Sequence, residues 1–402
     1  MKTTLFGLVA LTAALALSLP AAAEKKYSPG ASDTEIKIGQ TMPYSGPASA
    51  RGAIGKAEAA YFAMINEQGG VNGRKINFIS LDDGYSPPKA VEQTRKLVEQ
   101  DEVLLIFSSL GTPSNSAIHK YMNAKKVPQL FISTGATKWG DPKNFPWTMG
   151  WQPNYQSEAR IYGQYLLENK PDAKIGVLFQ NDDYGKDYLK GLKDALGDKA
   201  AKMIVMEASY EVSDPTVDSQ IVALKGSGAD TLMTFATPKF AAQTIRKTFD
   251  IGWKPLHFLN NVSASVAAVL GPAGLDKSKD IITALFLRDP TDPQWAKDPA
   301  MQFFQSWMKK YNPGADPADL ANVVGYNLAA NLDYVLKTCG DDLTRENIMK
   351  VAANMKDVEM PLLIPGIKIN TSATDFFPVA QLKLARFDGK RWNLFGDVLS
   401  GR

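Results

Sequence analysis

Short apolar runs rich in β-branched residues alternate with longer stretches of helical periodicity through most of this 402-residue chain. Runs at 35–40, 75–81, 103–108 and 127–133 predict buried strands, and 55–68, 88–100 and 114–125 predict the helices between them. The pattern then restarts. Strands are expected at 174–179, 202–207, 230–235 and 256–260, with helices near 185–196, 214–225 and 241–249. Such alternation builds right-handed βαβ units around a parallel sheet. Two series of them predict an α/β fold of two doubly wound lobes. After an apolar run at 281–287, a Pro- and Asp-rich loop at 288–299 leads into two long helical segments ending near 355. Two last strands, 378–387 and 391–395, flank Asp388-Gly389, a dipeptide that favours a hairpin.

The first 23 residues stand apart from this pattern. Lys2 supplies a positive start, Leu5 to Leu19 an apolar stretch, and Ala21-Ala22-Ala23 a small-residue cleavage site. These features predict an exported, soluble, periplasmic protein that begins near Glu24. Cys339 is the single cysteine, so no intramolecular disulfide can form, and a small buried hydrophobe is its plain reading. With 45 basic and 42 acidic residues, nothing suggests a nucleic-acid footprint or an anionic-membrane binder.

Catalytic motifs are missing. The two histidines, His119 and His257, fall in different predicted lobes, and no metal, phosphate-loop or nucleophile-elbow signature occurs. Ser306 and Lys309 have a nucleophile spacing but lie in an ordinary amphipathic helix. Asp82-Asp83 and Asp182-Asp183 could be acid–base pairs, but capping the helices that follow, or contact between lobes, accounts for them more simply. The chain is read as a binder, with no cofactor and no metal.

Ligand-binding chemistry is richer. After the third strand, Ser108-Ser109-Leu110-Gly111-Thr112-Pro113-Ser114 opens a helix, and the next strand ends in Ser133-Thr134-Gly135-Ala136-Thr137. Hydroxyls and free N–H groups at a helix N-terminus can receive a carboxylate without lysine or arginine. Upstream, the segment 65–90 combines a Gly69-Gly70 helix stop, an Asn72-Gly73 turn, a strand, Asp82-Asp83-Gly84 and a Pro87-Pro88 helix start. This order resembles the periplasmic leucine/isoleucine/valine-binding proteins that feed ABC importers. The resemblance spans the chain from Glu35 to the final strands.

The resemblance implies a type I periplasmic binding fold whose lobes are joined by a three-stranded hinge, with crossings near Gly150, Thr283 and Ile369. It places the N-terminal lobe at 24–150 plus 284–368 and the C-terminal lobe at 151–283 plus 369–402. Ser109, Ala136 and Thr137 would hold the ligand's carboxylate, with Gly135 allowing close approach. Tyr184 would cover the ligand on closure, Tyr44 and Arg51 would flank its tail, and Tyr326 would be a pocket aromatic. Arg51 could pair with the carboxylate, although a solvent-facing position is the slightly favoured reading.

One departure from the family matters most. Amino-acid binders of this type hold the ligand's ammonium with an acid after the second lobe's fourth strand, where this chain has Asn260-Asn261-Val262-Ser263. The loop before it carries Lys239 where a tyrosine is expected, and no acid lies nearby in sequence. An unpaired buried ammonium costs several kcal/mol. The sequence therefore predicts a small aromatic or aliphatic acid over an α-amino acid, with Asn260 or Asn261 hydrogen-bonding its far end. The expected partners are ABC permease subunits, and the binder itself is expected to be monomeric. An exported sensor of the same fold, or a true leucine/isoleucine/valine binder, are the alternatives.

Overall fold

Strands buried on both faces have nowhere to go but between layers of helix. Ile175–Gln180 and Thr231–Phe235 are buried at every position. The computed structural model describes residues 25–401, so the leader expected at 1–23 lies outside it.

In the first half, β1 (Glu35–Met42), β2 (Lys75–Asp82), β3 (Leu105–Phe107), β4 (Gln129–Ile132) and β5 (Thr148–Gly150) form a parallel sheet ordered β2-β1-β3-β4-β5. Helices α1 (Ala53–Glu67), α2 (Pro87–Glu99) and α3 (Thr112–Lys125) connect the first four strands. After α4 (Tyr155–Asn169), the second half repeats the scheme. Its strands are β6 (Ile175–Gln180), β7 (Ile204–Tyr210), β8 (Thr231–Phe235), β9 (Leu256–Leu259) and β10 (Ile282–Leu285). Helices α5 (Asp183–Leu196), α6 (Asp218–Gly226) and α7 (Pro238–Asp250) alternate with them.

Three further helices, α8 (Pro299–Tyr311), α9 (Leu320–Cys339) and α10 (Arg345–Ala352), return to the first half. There α9 lies against α1, so close that a Cβ on Gly325 would stand 2.4 Å from the Ile54 carbonyl oxygen. The chain ends on the second sheet with β11 (Gln381–Phe387) and β12 (Trp392–Ser400), giving the order β12-β11-β10-β9-β8-β6-β7. Only β11 and β12 run antiparallel to their neighbours. β12 continues past the expected end at 395 because a bulge, with Gly396 at φ 67, absorbs the irregular register.

Segments 151–154, 286–298 and 353–380 carry the chain between sheets. They are tied together where Ile364 N–H donates to the Phe286 carbonyl at 2.9 Å and Val379 N–H to the Trp151 carbonyl at 3.1 Å. Thr283 lies inside β10, so the second passage begins beyond Leu285. Among the described residues no helix is long and apolar enough to cross a membrane.

Both sheets share the order second-first-third-fourth-fifth. Loops after the first and third strands therefore leave in opposite directions, opening a crevice at the strands' C-terminal ends. The two crevices face each other.

Candidate functional site

Two adjoining small cavities, each of about 20 Å³, lie between those facing edges. The outer one is lined by hydroxyls from both halves: Thr112, Ser133 and Thr134 from the first, Tyr184 and Thr237 from the second, with Tyr155 at the start of α4. The inner one is lined by Asn261 and by Leu285, Phe286, Leu287, Leu320 and Val324. Arg51 and Gln152 border both. A larger, more open groove is lined by Pro290, Thr291, Asp292, Gln302, Gln305 and Ser306, with residues of only the segment after β10, α8 and the loop after it.

Arg51 sits in a single 3₁₀ turn, Ser49–Gly52, after β1. It does not point to solvent, as the arginine average suggested: it is 9 % exposed, and Nη1 lies 3.5 Å from the Val262 carbonyl of the opposite half. Burial pushes its guanidinium below the ordinary range, an effect opposed by the charge of Asp319. Among the described residues it forms no ion pair, and it is the only charged side chain lining either cavity. A desolvated cation without a direct ion pair is costly, and a carboxylate would relieve it.

The N-terminus of α3 enters the outer cavity, and Thr112 Oγ1 shares a hydrogen with Thr134 Oγ1, which also meets Tyr155 Oη at 3.0 Å. The buried Ser133 hydroxyl has no partner among the described residues. Gly111, at φ 103, brings this turn against Tyr85, whose ring would lie 2.7 Å from an added Cβ. Tyr85 and Ser108 adopt φ 61 and 50, conformations that non-glycine residues hold only when their surroundings enforce them.

Tyr184, two residues past the Asp182 cap of α5, is buried in the outer cavity with its hydroxyl on the Asn260 amide. Asn261 reaches the inner cavity. Behind it stands Glu158 of α4, a fully buried carboxylate that the sequence reading did not find. Its oxygens accept from Tyr162 (2.6 Å), Tyr188 (2.7 Å), the Asn261 N–H (2.7 Å) and the Asn261 side-chain amide. Burial pushes Glu158 up to about 7, against the opposing effect of those hydrogen bonds. It is saturated and lines neither cavity, so it does not stand in for the missing ammonium-binding acid.

Several expected site residues lie elsewhere. Ser109 Oγ is spent on Thr41, from which it accepts both N–H and hydroxyl bonds at 3.0 Å. Tyr44 Oη meets Ser80 at 2.6 Å inside the first half, and Tyr326 packs among Tyr61, Phe304 and Trp307. Gly135 lies against Pro153 and Tyr155. Ala136 and Thr137 sit at the outer rim beside Lys138 and Asp187, not in the cavities. The hydroxyls facing the cavities come from Thr112, Ser133 and Thr134, neighbours of those expected in the same two loops. Lys239 is exposed, bonded to the Asp214 carbonyl. Asp82 and Asp182 accept main-chain N–H groups at loop and helix starts, and Asp183 pairs with Lys138 across the cleft at 2.5 Å.

Further side-chain contacts join the halves. Thr137 bonds Asp187, Ser116 approaches Asp183 at 3.4 Å, Tyr85 meets Gln180 at 3.4 Å, and Ser265 donates to Asp319 at 3.0 Å. His119 stacks on Phe145, and His257 pairs with Thr234; burial lowers them to about 4 and about 3, so both are neutral core residues. No metal-holding cluster occurs among the described residues.

Two facing α/β halves with a polar and an apolar chamber between them define a cleft-type solute-binding protein. Residues 35–391 match the model of the periplasmic binding protein family, and the chain belongs to it. It is similar to Leu/Ile/Val-binding protein homolog 7 of Brucella abortus, 26 % identical over 369 residues covering 86 % of each chain. A branched-chain amino acid ABC transporter protein from Thermus thermophilus, solved with bound valine, superposes with a TM-score of 0.82 at 15 % identity over 92 % of this chain and 97 % of that one. A solute-binding protein of an ABC transporter from R. palustris, solved with benzoate, gives 0.73 at 22 % identity over 91 % and 98 %.

Proposed function

We propose that this protein is the periplasmic solute-binding component of an ABC importer and that its solute is a small carboxylate without an α-ammonium group. The observation carrying this is the charge within the cleft's cavities: Arg51 is the only charged side chain lining either of them. An ammonium would face that guanidinium with no acid to pair it, at a cost of several kcal/mol. A lone carboxylate would find Arg51 and the Ser133 hydroxyl, while an apolar body would pack against Leu285, Leu287 and Leu320 once the halves part to admit it. Of the structural neighbours, one carries valine and another benzoate, so the fold serves acids of both kinds.

Capture would involve no bond-making. The first half binds the anion, the second rotates about the connecting segments, and Tyr184, Thr237 and Asn261 close over it. Closure is favoured only as far as the ligand binds the closed form better than the open one. Permease subunits would receive the closed form. A micromolar dissociation constant, about −8 kcal/mol, fits such a role.

A thermal-shift screen of the purified protein against α-amino acids and amino-free acids tests the reading. Ligand at a hundredfold over its dissociation constant adds about 2.7 kcal/mol and raises the melting temperature. Amino-free acids should shift the transition, and leucine, isoleucine and valine should not. A shift with the amino acids alone would falsify the reading.

A further inference from the structure

Asn261 lines the inner cavity with an amide that has a donor pole and an acceptor pole. Which pole faces a ligand decides what that ligand must carry. Here the choice is made from behind. Above about pH 7 Glu158 is ionised and its carboxylate only accepts, and it takes both the main-chain N–H and the side-chain amide of Asn261. Tyr162 and Tyr188 donate to the same two oxygens and leave Glu158 no spare capacity. The donor pole of Asn261 is therefore turned into the protein. Its Oδ1 is left as the acceptor, with no partner among the described residues. Gln152, also at the cavity, has no side-chain hydrogen bond among the described residues and can turn either pole inward, so the fixed polarity is that of Asn261.

Resting on the carboxylate reading above, we infer that the solute is a hydroxy acid: an amino-free acid whose carboxylate meets Arg51 and whose hydroxyl donates to Asn261 Oδ1. Glu158 is the positioning residue for that contact. An oxo acid of the same skeleton places an acceptor against an acceptor, and the unsubstituted acid leaves Oδ1 without a hydrogen. Both should bind more weakly.

Matched triads read this directly by calorimetry at pH 8.5, where Glu158 is ionised: butyrate, 3-hydroxybutyrate and 3-oxobutyrate, and then benzoate, 4-hydroxybenzoate and 4-formylbenzoate. In at least one triad the hydroxy member should bind about tenfold or more tightly than the other two. N261A should erase that gap. E158Q should narrow the gap between hydroxy and oxo members, because a glutamine amide can donate and lets Asn261 turn round. An oxo acid as tight as its hydroxy partner, or a gap surviving in N261A, overturns the inference. The anchoring is also read without ligand, through hydrogen exchange of the Asn261 side-chain amide, assigned by its loss in N261A. Exchange should be slow in the wild type and fast in E158Q, and equal exchange overturns the role of Glu158. If E158Q does not fold, the N261A result decides. Binding of amino acids and of no acid in either triad overturns the carboxylate reading and this solute class together, whereas binding of acids without hydroxy preference overturns only the inference.

Discussion

Thr137 donates its main-chain N–H and its hydroxyl to one oxygen of Asp187, both at 2.8 Å, across the gap between the two halves. The other Asp187 oxygen accepts from Gln156 at 2.6 Å. Thr137 thus joins the two halves and lines neither cavity, so any effect it has on ligand binding is expected to run through closure. T137V keeps the shape and removes the hydroxyl donor, so affinity for the acid found by the thermal screen should fall by about 1–2 kcal/mol. D187N should weaken it too, and the double variant should cost less than the sum of the single ones. Strict additivity in calorimetry would mean that the two residues do not work as a pair.

Arg51 predicts opposite effects on stability and binding. Removing a buried cation that forms no ion pair relieves the protein, so ligand-free R51M should be as stable as the wild type or more stable by about 1–3 kcal/mol in urea unfolding. Acid binding should drop by at least about a hundredfold, because the ligand's charge would then be buried unpaired. A strongly destabilised R51M, or one that still binds the acid, refutes the assignment.

The sheets were legible because their strands are apolar on both faces, as at 175–179, and because Gly and Pro mark their ends. The cleft was legible only as loops. Thr112, Ser133 and Thr134 lie within the two segments singled out from the sequence, but which hydroxyl faces inward depends on local turns such as Ser108 at φ 50, which no periodicity encodes. β5 has three residues, Thr-Met-Gly, too few for a pattern. The helix after it, α4, was not anticipated, and Glu158 on it reads in sequence as an ordinary surface acid. Its burial follows from partners as much as 103 positions away. Charge in the cleft was misjudged for the same reason: Arg51 is covered by Val262 of the other half.

Cys339 ends α9 with 7 % of its surface exposed, and burial pushes its thiol up to about 12. The thiolate is the reactive species, so the folded protein should scarcely react with a thiol-specific disulfide reagent at pH 8. In denaturant one thiol per chain should react at once. Rapid labelling of the folded protein would show that α9 opens locally.

Glu158 makes stability depend on pH in a defined direction. Its folded value of about 7 lies above the ordinary 4.5, so between those values the folded chain keeps a proton that the unfolded chain has released. Stability from this group is complete below about 4.5 and is lost as pH rises through about 7. Between pH 5 and pH 8 the wild type should therefore lose roughly 1–3 kcal/mol more than E158Q, which has nothing to titrate at this site. Urea unfolding of both proteins at the two pH values measures the difference, and all other groups cancel in the comparison. Parallel pH profiles would mean that the four hydrogen bonds keep Glu158 ionised throughout. A wild type that gains on E158Q as pH rises would mean that they hold its carboxyl below the unfolded value, reversing the sign argued here.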